Sequence, residues 1–125
     1  MRTFFLLLAL LAHGLHAAEP RDIPFTSHRV PAGMAAEDQN ILLEGLQQLR
    51  RDLARLSPEN ADHHADAAIF EKGITWALRY ETKLPPKEVA LLKHALKRGR
   101  ERTAALTARQ VPWSAKKGNV LRGFV

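Results

Sequence analysis

Leu42, Leu46, Leu49, Leu53 and Leu56 recur at spacings of four, three, four and three. That period puts all five on one stripe of an α-helix, widened at its start by Ile41 and Leu43. What the chain folds into is set by what covers this stripe. The seven-residue period lasts only two heptads, which suits an antiparallel helix pair; a long dimeric coiled coil needs more repeats. Glu37 and Asp38 near the start, and Arg50, Arg51 and Arg55 near the end, match the helix dipole. Ser57-Pro58 stops the helix, which is predicted over about residues 35–56.

Two more helices follow. Asn60-Ala61-Asp62 opens the second, running to about Tyr80. Ala65, Ile69, Trp76 and Tyr80, with Ala68, Gly73 and Ala77 among them, form an apolar side in which small residues admit a close neighbour and Trp76 fills the flank. A mid-helix glycine costs about 1 kcal/mol relative to alanine, so Gly73 is expected at a tight crossing. Phe70, Ile74 and Leu78 make a second apolar row. A helix apolar on two sides needs cover on two sides, more than two partner helices supply. After a loop over 81–85, Pro86 suits the first turn of a third helix, where its missing N–H costs little. Val89, Leu92, Leu96, Gly99 and Leu106, beside Ala95 and Thr103, give its stripe; Lys93, Lys97, Arg98, Arg100 and Arg102 lie off it. The fold class is mainly α: three antiparallel amphipathic helices over residues 34–108.

The ends read differently. Met1-Arg2-Thr3 is followed by the apolar run Phe4–Ala12 and by small residues up to Ala18, the order of a secretory signal peptide over residues 1–18. The run is too short for a stable membrane span: as a helix it covers roughly 14 Å of a hydrocarbon core of roughly 30 Å. Export to the periplasm or the exterior is the expectation. Residues 19–33, with Pro20, Pro24 and Pro31, read as an extended tether. Residues 109–125 read as a turn and the opening of a β-strand, Gly118-Asn119-Val120-Leu121-Arg122-Gly123-Phe124-Val125. A lone strand leaves its backbone groups unpaired, so a further domain is expected beyond it. There is no cysteine, which excludes a disulfide scaffold, thiolate metal ligands and a lipidated cysteine. Removing Arg2 with the signal takes the net charge from +6 to +5. This moderate excess is expected as a solvated basic surface, with weak polyanion contact along the third helix as its functional counterpart and no specific nucleic-acid recognition, because the aromatics that stacking needs sit elsewhere.

Candidate chemistry is sparse. His63-His64 beside Asp62 and Asp66 resembles a metal cluster in composition, but neighbouring helical residues point about 100° apart, and the i, i+4 pair that converges on one ion is missing. These are expected as exposed first-turn residues, and His94 as a surface residue. Ser27, Ser57 and Ser114 lie outside any G-x-S-x-G turn; Glu71, Glu81 and Glu88 are single acids expected in solvent. No catalytic, cofactor-binding or metal-binding residue is assigned.

Two pieces together carry a resemblance. Ile69-Phe70-Glu71-Lys72-Gly73-Ile74-Thr75-Trp76-Ala77-Leu78-Arg79-Tyr80-Glu81 is followed by a helix, by Val111-Pro112-Trp113-Ser114, and by the segment from Gly118 to Val125. Over about residues 57–125 this resembles the N-terminal region of exported prolyl-oligopeptidase-like α/β-hydrolases of environmental bacteria. The resemblance implies a non-catalytic helical module ahead of a serine peptidase or esterase domain of the same polypeptide, packed against it. The family's catalytic serine, aspartate and histidine then lie past Val125, and none falls on this sequence. The alternative is a complete small exported helical protein that binds a partner or polyanion through the basic face of its third helix. With residues 19–125 alone, the first reading expects apolar surface left exposed at Phe70, Ile74, Trp113 and Phe124.

Overall fold

The computed structural model describes residues 29–123; the signal-peptide reading and most of the tether lie outside them. Three helices form the body: α1 (Ala36–Ala54), α2 (Ala61–Tyr80) and α3 (Pro86–Thr107), with a 3₁₀ turn (Pro58–Asn60) leading into α2. Connections this short force antiparallel neighbours. Each helix packs on both others, and α2 and α3 share the most extensive contact. The mainly helical expectation stands. No helix among the described residues is long and apolar enough to cross a membrane.

The leucine stripe of α1 is the centre of the core. Leu42, Leu46, Leu49 and Leu53 are buried against Ile74, Leu78, Val89, Leu96 and Leu106. Truncating one such leucine to alanine costs roughly 2–5 kcal/mol. Ser57 Oγ accepts from the Glu59 N–H where α1 gives way to the 3₁₀ turn.

On α2 the two apolar rows exchange roles. Phe70, Ile74 and Leu78 face the core, with Ala67. Trp76 is 55% exposed and Tyr80 67%, so the expectation that Trp76 fills a buried flank is overturned. One row suffices because α1 and α3 together span it, leaving the other row outward. Gly73 is outward too, and a Cβ there would meet nothing within 4 Å. The close crossings occur at other glycines. At Gly99 a Cβ would come 2.9 Å from Leu49 Cδ2 and 3.0 Å from Phe70 Cβ, and at Gly45 it would run into Leu96.

Both flanking segments are docked. Residues 29–33 are not a free tether: Pro31 is buried, the Ala32 N–H donates to Thr82 O (2.9 Å), and the Leu84 N–H donates to Ala32 O (2.8 Å). Gly33, at φ +87°, makes the turn that permits this, and a Cβ there would sit 3.1 Å from Leu84 O. After α3, Arg109 takes φ 57° and the chain reverses. Residues Pro112–Ala115 form turns, and the tail then crosses α3 and reaches α2 without forming a strand among the described residues. Of the four residues expected exposed, Phe70, Ile74 and Trp113 are buried, and Phe124 lies outside the described residues. The tail itself covers Trp113, and the helix pair covers Phe70 and Ile74.

Candidate functional site

The tail is organised around one carboxylate. Asp66 lies in the second turn of α2 and is 1% exposed, not the exposed first-turn residue its polar neighbours suggest. One oxygen, Oδ2, accepts from the Trp113 indole N–H at 2.9 Å. The other, Oδ1, accepts from Arg122 Nε at 2.8 Å and from the Gly123 backbone N–H at 2.9 Å. His63 Nδ1 is 3.4 Å from Oδ2 on the same helix face. Residues more than forty apart in sequence thus converge on two oxygens.

Burial alone would raise the Asp66 pKa. The bonds from Arg122, Trp113, the Gly123 N–H and His63 more than offset it and lower the pKa from 3.8 to about 2. A buried carboxylate held by this many donors stays ionised, and removing its charge removes what gathers the tail.

Arg102 builds the floor beneath. Its guanidinium is 5.0 Å from the Phe70 ring centroid and 4.9 Å from that of Trp113, one ring belonging to α2 and the other to the tail. Its Nη1 donates to the Asp66 backbone carbonyl at 2.6 Å. Burial lowers the Arg102 pKa; the Asp66 charge opposes this, while Arg98 and Arg122 add to it. Planar, delocalised and weakly hydrated, a guanidinium suits a place between two aromatic faces better than an ammonium does. Arg98 stands 5.7 Å from Phe70 on the outer side. Where the tail crosses α3 it leaves a cleft of about 220 Å³ bordered by Arg98, Glu101, Arg102, Trp113, Lys116 and Asn119.

The remaining sequence candidates do not converge. His63 is half-buried against Asp66, which corrects its assignment to solvent, and His94 is exposed. The described residues hold no group of three or more His, Asp or Glu side chains able to share a metal ion. Ser114 Oγ donates to Val111 O within the turn. Glu71, expected in solvent, pairs with Arg50 at 2.6 Å and accepts from Thr75 Oγ1, tying α2 to α1. On the basic side of α3, Lys93 pairs with Asp38 at 2.5 Å, Lys97 lies 3.9 Å from Glu101, and Arg102 is buried. The cationic residues of α3 therefore serve several different contacts.

Sequence reasoning missed Asp66, Arg102 and Trp113 as a unit. One signal was available: Asp66 lies four residues before Phe70 and one before the buried Ala67, a core-facing place on α2 that an isolated carboxylate occupies only with partners.

No family model, no curated protein and no solved structure matches this chain.

Proposed function

We propose that the helical body is a non-catalytic N-terminal module of an exported α/β-hydrolase of the serine peptidase or esterase type, packing against the catalytic domain that follows it. The single observation that supports this most is the overlap between the Asp66 site and the residues of the resemblance. Trp113 of the Val-Pro-Trp-Ser turn and Arg122-Gly123 of the terminal segment are the groups that the Asp66 carboxylate holds. Phe70, from the aromatic-rich helix, stacks on the Arg102 that supports them. A module with this task has to hold the departing chain in a fixed place, and a buried, fully bonded carboxylate does that. No side chain among the described residues is assigned a catalytic role; export and the signal peptide belong to the same proposal.

The test uses the protein expressed from its complete reading frame. Its intact mass should exceed that of the 125-residue chain, and a fluorophosphonate probe should label a serine beyond Val125. A mature polypeptide ending at Val125, or a longer one that the probe never labels, would overturn the reading.

One observation favours the polyanion alternative: Arg98, Arg102 and Lys116 border the same cleft, with Glu101 as its one acid. Binding to polyphosphate that weakens steeply between low and moderate salt would support it; salt-independent or absent binding would remove it.

A further inference from the structure

Ala65, Ile69, Gly73, Trp76 and Tyr80 follow at spacings of four, four, three and four along α2 and form one row of the helix. Away from its head this row is open. Trp76 and Tyr80 are more than half exposed, and Gly73 leaves a flat step between Ile69 and Trp76 with nothing near its missing side chain. Lys72 Nζ stands 5.0 Å from the Trp76 ring centroid and gives the row a charged rim. Two large aromatics with polar edges beside a flat, side-chain-free step have the composition of a docking surface, where such residues supply contact area at low entropic cost.

The other observation is where the tail delivers the chain. Gly123 lies directly against Ala65, so close that a Cβ on it would overlap the Ala65 carbonyl. Its N–H is fixed by Asp66. Ala65 is the first residue of the exposed row, so the polypeptide is handed over at the head of that row. From Ala65 to Tyr80 the helix rises roughly 22 Å. An extended chain covers that distance in about seven residues. Phe124 and Val125 alone span about 7 Å, enough to reach the level of Ile69.

We propose that the polypeptide continuing from Gly123, beginning with Phe124-Val125, docks along Ile69, Gly73, Trp76 and Tyr80. This row is then the seat of the following domain on the helical module. The inference rests on the reading that such a domain exists. It adds which face of the module that domain covers, and it makes α2 bifacial: Phe70, Ile74 and Leu78 hold the bundle, while the opposite row holds what comes next.

Photo-cross-linking in the full-length protein tests this. The photoreactive residue p-benzoylphenylalanine replaces Trp76 or Tyr80, and in a control Leu91, which is 61% exposed on α3 away from the row. Peptide mapping after irradiation should show intramolecular cross-links from positions 76 and 80 to residues at or beyond Phe124, with none from position 91. Cross-links from 76 and 80 to a second copy of the chain would overturn the proposal by naming another occupant. A long polypeptide with no cross-links at 76 and 80, or with equal yields at all three positions, would overturn it alone. An intact mass that ends at Val125 would overturn the underlying reading, and the mass is read before irradiation, so the two failures are separable.

Discussion

Asp66→Asn is nearly isosteric, yet the geometry predicts a large cost. Every group on the carboxylate is a donor: the Trp113 indole N–H and His63 on one oxygen, Arg122 and the Gly123 N–H on the other. An amide can present only one oxygen. Whichever way the substituted side chain is flipped, its NH₂ faces at least one donor, so at least one buried N–H loses its acceptor. The carboxylate's preference for ionisation in the folded state, from 3.8 to about 2, corresponds to roughly 2 kcal/mol at neutral pH. A buried donor left without a partner adds about 1–3 kcal/mol. The expected loss is about 3–5 kcal/mol, or a fall in Tm of roughly 12–40 °C for a chain of this size. Urea unfolding of residues 19–125, followed by tryptophan emission, measures it, with Asp62→Asn in the exposed first turn as the control. Emission should shift red as Trp113 is released, above the constant background of exposed Trp76. A loss below roughly 0.5 kcal/mol, the range of ordinary surface changes, with unshifted emission, would refute the reasoning.

Three further outcomes follow from the same structure. Gly73→Ala should stabilise by up to about 1 kcal/mol, because the site is open and helical, while Gly99→Ala should destabilise by about 1–3 kcal/mol through its contacts with Leu49 and Phe70; paired urea melts read the opposite signs. The Asp66 pKa is depressed by folding, so its contribution is complete above about pH 5, declines as the unfolded carboxylate protonates near 3.8, and is gone below about 2. Stability profiles of wild type and Asp66→Asn should therefore converge in acid. Trp113→Phe keeps the ring over Arg102 but removes the indole donor, and should cost about 1–3 kcal/mol in thermal unfolding, less than Asp66→Asn.

The fold class was legible because its signal is periodic. The α1 stripe runs for five leucines and α3 repeats its stripe over several turns, so helix number, order and connections could be read directly. On α2 the periodic signal was ambiguous. Two rows had comparable apolar content, and the choice of core row depends on how α1 and α3 approach, which composition along α2 does not encode. Gly73 and Gly99 illustrate the difference. Both are mid-helix glycines, and only the partner across the interface decides which one is a close crossing. The Asp66 site was illegible for a related reason. Its members lie on α2, on α3 and in two separate parts of the tail, each ordinary in its local sequence. The segment Gly118–Gly123 reads as the opening of a strand, but its groups are used on the helices instead of on a ladder, with Val120 packed on the core and Arg122 on Asp66.

One buried carboxylate, Asp66, fixes the C-terminal tail on α2. Amide hydrogen exchange of the Gly123 N–H and the Trp113 indole N–H, observed by NMR in residues 19–125, measures it most directly. The structure predicts that both are protected and that both lose protection together in Asp66→Asn, while amides of the α1 core stay slow. Exchange of the Gly123 N–H at the rate of an unstructured chain in the wild-type protein would contradict the claim.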